Sequence, residues 1–238
     1  MNITVIIPTY NEAENIPKIV SALLLLPLPG LRVLVADDNS PDGTGHLVDQ
    51  IHATEPRVSA LHRKKKVGLG RAYLDAFQVA MNAGADYLVQ MDADFSHPPE
   101  KILEMAEKID GYDLVIGSRY VEGGSLDENW PIWRKRLSAF GNGYARTILN
   151  MPIRDCTGGF RMYRRETLLG MPLERVRSNG YVFQVEMAYL GYRKGFKALE
   201  IPIHFADRQW GTSKMNLRVQ AEAALRVWQV WRTYRDLY

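Results

Sequence analysis

Along the first half of the chain, short apolar, β-branched runs alternate with longer segments in which apolar residues recur every three or four positions. The runs predict strands near Ile3–Ile7, Val33–Ala36, Ser59–His62, Tyr87–Met91 and Leu114–Ile116. The periodic segments predict helices near Ala13–Leu26, Thr44–Ala53, Leu69–Ala83 and Glu100–Ile109. Strand-helix alternation of this kind implies an α/β fold, Rossmann-like, with a mostly parallel sheet flanked by helices. Local punctuation agrees: Asn11 is placed to cap the first helix, Gly84 follows the third, and Pro98-Pro99 opens the fourth. After Gly117 the pattern loosens into a polar loop over Glu122–Trp130, a helix near Trp133–Leu149, a turn at Asp155–Gly159, a helix near Val182–Arg193 and a strand near Leu199–Phe205. Residues 216–238 are again helix-periodic, with Leu217, Ala221, Ala224, Leu225, Trp228 and Trp231 as an apolar stripe and Arg218, Arg226, Arg232 and Arg235 near or opposite it. The expected organisation is one α/β domain over 1–215 and an amphipathic C-terminal helix over 216–238. That helix suits either packing on the domain or contact with a lipid headgroup layer.

With 238 residues, 46% of them hydrophobic, the chain can bury a substantial core. A net charge of +3 is too small for wrapping nucleic acid, and the basic clusters at Arg63–Lys66, Arg134–Arg136 and Arg161–Arg165 read as local anion sites. The single cysteine, Cys156, excludes an intramolecular disulfide and a cysteine-built zinc site, and it reads as a small core residue. The first residues carry no basic segment or cleavage site, which points to the cytoplasm. No apolar run approaches the length of a bilayer span, and the longest, Ile16 to Leu28, is interrupted by Pro17, Lys18 and Pro27. Membrane contact would therefore be peripheral.

In a parallel sheet, ligands gather at the carboxyl ends of the strands. Three predicted strand ends carry concentrated polar residues: Pro8-Thr9-Tyr10-Asn11-Glu12, Asp37 through Thr44, and Asp92 through Pro98. Asp92 and Asp94, one residue apart on a turn, jointly offer hard oxygen ligands to Mg²⁺ or Mn²⁺, which in turn bridges phosphate oxygens. A D-x-D tripeptide arises about once by chance in a chain of this length, so its address counts for more than its existence. Asp38 would lie across the crevice, able to accept hydrogen bonds from a base or a ribose, while Asp42-Gly43 marks a turn and Thr44 a helix cap. Gly68-Leu69-Gly70 lacks the third small residue of a dinucleotide fingerprint, and no P-loop occurs.

The segments Ile6–Glu12, Asp37–Thr44 and Met91–Pro98 resemble the signature blocks of family 2 glycosyltransferases with the GT-A fold. Gly117-Ser118-Arg119-Tyr120, Asp155–Arg161 and Arg208–Lys214 resemble more narrowly the dolichyl-phosphate, or polyprenol monophosphate, mannose synthase group. The blocks run in the family's order across nearly the whole chain. The resemblance implies a metal-dependent enzyme with Pro8, Tyr10 and Glu12 on the nucleotide, Ala36 and Asp38 beside base and ribose, and Asp92, Ala93 and Asp94 on the donor. It places the metal on Asp94 with Asp92, and sets Arg119, Arg208 and Lys214 against phosphate oxygens. Ser96 stands where a better ligand, a carboxylate or amide, would complete the metal shell.

Glycosyl transfer to a sugar hydroxyl needs a general base. A lipid phosphate monoester, with its second pKa of about 6, does not; it needs positive charge. Arg134 and Ser138 share one helix face at i and i+4, as a phosphate grip would require, and the resembled family binds acceptor phosphate on this helix. Arg119 could serve donor and acceptor alike. Asp155 suits either positioning the acceptor or anchoring its Gly-Gly turn, and His97 reads as a turn residue. The implied reaction is inverting transfer of mannose from GDP-mannose to a polyprenyl phosphate at the cytosolic membrane face, reached by surface contact or with a membrane-protein partner. Two alternatives stay open: another donor such as UDP-glucose, or a saccharide acceptor, and a non-catalytic nucleotide-sugar-binding regulatory subunit.

Overall fold

The computed structural model describes residues 1–207 and 217–237. A seven-stranded sheet forms the centre, with β1 (Ile3–Thr9), β2 (Leu31–Asp37), β3 (Val58–His62), β4 (Tyr87–Gln90), β5 (Leu114–Ser118), β7 (Arg161–Arg164) and β8 (Ala198–Pro202) in the order β3-β2-β1-β4-β7-β5-β8. All neighbours are parallel except β7, which runs antiparallel to both β4 and β5. A small parallel pair, β6 (Ser125–Leu126) with β9 (His204–Phe205), stands apart. The helices are α1 (Ile16–Leu24), α2 (Thr44–Thr54), α3 (Leu69–Asn82), α4 (Lys101–Lys108), α5 (Ile132–Leu149), α6 (Arg165–Gly170), α7 (Gly180–Arg193) and α8 (Leu217–Tyr234).

Alternate residues of each strand enter different cores, because successive side chains point to opposite faces. Along β1, Val5 and Ile7 join a core with Ile16, Ile19, Val20 and Leu23 of α1 and Ile102 and Met105 of α4. Ile6 joins the other, with Tyr73, Ala76 and Phe77 of α3, Phe183 of α7 and Val227 of α8. Burial on both faces explains why the strands read as continuous apolar runs.

Several local expectations are corrected. Asn11 does not cap α1; it adopts a left-handed backbone (φ 63°), and the helix starts at Ile16 behind Asn15. The cause is lateral: the amides of Asn11, Glu12 and Ala13 donate to Ser40 Oγ, Thr44 Oγ1 and Asp42 Oδ2 of the neighbouring turn. Those donors are satisfied without a helical turn. Gly43, in the left-handed region, takes the cap position of α2 instead of Thr44. β7 was not expected, since Arg-Met-Tyr-Arg carries no strand-like apolar run, and the segment 199–205 divides into β8 and β9 as its second part turns away to pair with β6. The Arg161–Arg165 cluster is not an anion site. Arg161 is fully buried and donates to the carbonyls of Gln184 and Cys156, while Arg164 donates to those of Tyr112 and Ile109.

The last helix presents a different face from the one its main stripe suggested. Val227, Val230 and Tyr234 are the buried residues, and the Tyr234 hydroxyl donates to Glu186 of α7 at 2.8 Å. Leu225, Trp228 and Trp231 point outward. α8 thus carries two apolar faces, of which the Val-Val-Tyr face is packed on the domain.

Candidate active site

The sheet brings the polar blocks to one edge. β2, β1 and β4 are adjacent and parallel, with Pro8 opposite Ala36 and Ile6 opposite Gln90, so the segments after them emerge side by side. The amide of Asp38 donates to Thr9 O at 3.0 Å and that of Met91 to Ile6 O at 3.1 Å. Because β7 is antiparallel, the Asp155–Phe160 turn that precedes it arrives at this same edge, next to the end of β5 and Arg119.

On the side of β2, Asp37 is a structural pin that accepts from Thr9 and Ser40, leaving Asp38 to the crevice. Asp38 is nearly buried and pairs with Arg63, which also donates to Asp75 at 3.0 Å. Burial pushes the Asp38 carboxyl up from its ordinary value, with the Arg63 charge opposing it. Lys66 lies 3.5 Å from the centre of the Tyr10 ring, so the basic loop after β3 covers this end of the crevice. Glu12 accepts from the Asn15 amide at 2.7 Å. The Ala36 side chain is spent on the core beside α3. A Cβ on Gly70 would stand 2.5 Å from Ser178 O, so the small residue serves the close approach of α3 to the turn before α7.

At the centre, Asp94 is nearly buried and accepts from the Ser96 hydroxyl at 2.6 Å and its amide at 3.1 Å, while Asp92 is half-buried. Ser96 therefore orients Asp94. His97 is fully buried, stacks on Phe160 at 5.1 Å and accepts from the Asp92 amide through Nδ1. Burial pushes its pKa down, against the attraction of Asp92 and Asp94, so the ring is a neutral buttress of the acidic turn. Among the described residues no three His, Cys, Asp or Glu side chains form a metal cage. Two carboxylates on one turn still fit a hard divalent cation that takes its other ligands from phosphate and water.

On the far side, Arg119 is held by Asp155 in a two-pronged pair, Nε to Oδ2 at 2.7 Å and Nη2 to Oδ1 at 2.8 Å, with Thr157 Oγ1 a further acceptor. Asp155 also accepts the amides of Arg119 and Gly158. Of the two readings open from sequence, these contacts are those of a turn anchor, and the same carboxylate also holds the Arg119 guanidinium. Tyr120 OH meets Ser138 Oγ at 2.8 Å, which ties the end of β5 to α5. Arg134 stacks 3.6 Å above the Trp130 ring and reaches Asp207 at 3.2 Å. Trp130 packs against Phe205, whose ring also meets Arg119 and His97. Arg119, Arg134 and Ser138 are thus linked through shared aromatic neighbours, and Arg208 and Lys214 lie outside the described residues. Cys156 is buried, its thiol pushed up to about 12 chiefly by burial, and takes no part.

The partners Arg63, Asp155, Tyr120 and Asp207 escaped the sequence reading in these roles. Only the proximity of Tyr120 to Arg119 in one block offered a signal.

The acidic turn thus stands at the carboxyl edge of the sheet with the Arg119–Asp155 pair at the same edge, and the relatives give the class of enzyme that this fold belongs to. Residues 4–169 match the model of glycosyl transferase family 2, and the chain belongs to that family. It is 46% identical over 225 residues to a polyprenol monophosphomannose synthase of Mycolicibacterium smegmatis, covering 94% of this chain and 84% of that protein. It is 44% identical over 227 residues to an undecaprenyl-phosphate mannosyltransferase of Micrococcus luteus, covering 95% and 93%. Among solved structures, a mannosyltransferase from Pyrobaculum calidifontis in complex with GDP-Man and Mn²⁺ matches with a TM-score of 0.66 at 21% identity. That match takes in 99% of this chain but 64% of the other, just under two thirds. A glucosyl-3-phosphoglycerate synthase from Mycobacterium tuberculosis matches with a TM-score of 0.68 at 16% identity, over 100% of this chain and 79% of that one. These likenesses bear out the GT-A fold expected from the sequence blocks.

Proposed function

We propose that the chain transfers mannose from GDP-mannose to a polyprenyl phosphate with inversion, giving a β-linked lipid monophosphate sugar. The observation that carries this reading is the state of the carboxylates on the acceptor side. Asp155 is spent on Arg119 and Asp207 on Arg134. Carboxylates bound to arginines make poor general bases, and a phosphate acceptor needs none, because it arrives ionised. The names of the relatives, which pair mannosyl transfer with polyprenol and undecaprenyl phosphate, point the same way.

In this reading Asp38, Tyr10, Glu12 and Pro8, with the backbone at Ala36, receive the nucleoside. Asp92, Ala93 and Asp94 receive the pyrophosphate and sugar. A divalent cation, Mg²⁺ or Mn²⁺, held by Asp94 with Asp92, would neutralise charge on the departing diphosphate. Arg134 and Ser138 grip the acceptor phosphate, and Arg119, its guanidinium aimed by Asp155, stabilises charge between acceptor and leaving group. Arg208 and Lys214 complete the donor side. The acceptor oxygen attacks the anomeric carbon as the bond to GDP breaks on the opposite face. With a lipid acceptor, the chain works at the cytosolic membrane face, and no described helix is long and apolar enough to cross a bilayer.

Calorimetric titration tests the donor half. GDP-mannose should bind wild type in a Mn²⁺-dependent manner, and Asp94→Ala should lose the metal dependence and at least about three orders of magnitude of turnover. Equal binding with and without metal, or an active Asp94→Ala protein, would refute this assignment.

A further inference from the structure

α5 and α8 leave a row of large apolar side chains in water. Phe140 and Leu225 are 70% and 68% exposed, and Trp228 and Trp231 stand beside them at 46% and 36%. They form one ridge: Phe140 stacks on Tyr144 at 6.4 Å, the Tyr144 hydroxyl accepts from Trp228 Nε1 at 3.0 Å, and the Trp228 and Trp231 rings meet edge to face at 6.3 Å. Ile132 and Trp133, also largely exposed, lie about two turns before Phe140 at the start of α5. A contiguous apolar surface of this kind marks an interaction site.

The surrounding charge selects the occupant. α5 carries Arg134, Lys135 and Arg136 near its start, Arg134 paired with Asp207, and no acidic residue of its own, while Arg146 is turned inward toward Cys156. The described end of α8 adds Arg226, Arg232 and, just beyond the helix, Arg235, while the nearby Asp236 is taken up by Arg175. Such a surface would repel a second copy of itself, whereas tryptophans bordered by arginines match the boundary of an anionic bilayer.

We infer that this ridge is the surface by which the protein docks onto an anionic lipid bilayer, lying on it with the tryptophans in the headgroup layer. The inference rests on the proposed lipid acceptor: a protein lying on the bilayer meets a prenyl phosphate where its head emerges from the membrane. The Val227-Val230-Tyr234 face of α8 keeps the helix on the domain, so outward substitutions spare the fold.

The test is co-sedimentation of the whole chain with vesicles of phosphatidylcholine alone or with added phosphatidylglycerol, using wild type, Leu225→Ser with Trp231→Ser, and Phe140→Ser. Circular dichroism melts check folding. Wild type should partition onto the anionic vesicles, with its tryptophan emission quenched by bromine-labelled lipid, and each altered protein should bind at least about tenfold more weakly. Turnover of a short-chain, water-soluble prenyl phosphate should be unchanged in the variants. Undiminished vesicle binding by the folded variants would overturn the inference, as would a wild type that binds no vesicles. A fall in molar mass on substitution, revealing a dimer face, would overturn it too. Vesicle binding through the ridge by a protein inactive with every prenyl phosphate would instead sink the proposed transfer and leave the docking surface standing.

Discussion

Replacing Asp155 by Asn removes one charge from a pair that is closed to water: Asp155 is fully buried and the Arg119 side chain 9% exposed. Exposed pairs contribute about 0–1 kcal/mol, whereas removing one partner of a buried pair costs about 3–5 kcal/mol because the other charge is stranded. The Arg119 amide binds Oδ2 and the Gly158 amide Oδ1, so Asn keeps an acceptor for one of them and turns its amide donor toward the other and toward a guanidinium donor, and a loss of at least about 3 kcal/mol is expected. The pH dependence sharpens the test. Burial raises the Asp155 carboxyl, but the Arg119 charge and hydrogen bonds outweigh this and hold it below the ordinary value. A carboxyl with a depressed folded pKa stabilises fully above its unfolded value of about 4, and the contribution fades as the pH falls through the folded value. Urea unfolding should therefore show the full gap between wild type and Asp155→Asn at neutral pH, narrowing on acidification below about pH 4. A gap under about 1 kcal/mol at neutral pH, or one that does not change with pH, would refute the reasoning.

Arg134→Ala should raise KM for the prenyl phosphate about tenfold or more while leaving KM for GDP-mannose unchanged, and equal acceptor kinetics would remove Arg134 from the acceptor site. Gly70→Ala should destabilise by about 1–3 kcal/mol, since the backbone carbonyl at Ser178 cannot yield as a side chain would. A raised melting temperature would show that helix propensity wins instead. Cys156 should resist thiol reagents in the native protein at neutral pH and react once urea unfolds it; rapid native labelling would contradict its burial.

The inner parallel strands were legible because β1, β2 and β5 are covered on both faces and read as apolar runs. β7 was not, because Arg161 enters the core with its charge satisfied by carbonyls, something composition does not announce. Which side of α8 meets the protein was left open for a similar reason: a helix with two apolar faces gives no sign of which one packs. In the site, the acidic turns could be read because chemistry and strand ends coincide within a few residues. The pairings could not. Arg119 and Asp155 lie 36 positions apart, and Arg134 and Asp207 lie 73 apart, so only the fold reveals that these cations come with carboxylates attached.

One assay reads the transfer of mannose to a lipid phosphate directly. Purified protein, polyprenyl phosphate and a divalent metal are incubated with labelled GDP-mannose, or with labelled UDP-glucose, and the organic phase is examined for acid-labile sugar. Label entering the organic phase from GDP-mannose alone is the predicted result; label from UDP-glucose instead, or from neither donor with acceptor and metal verified, would contradict it.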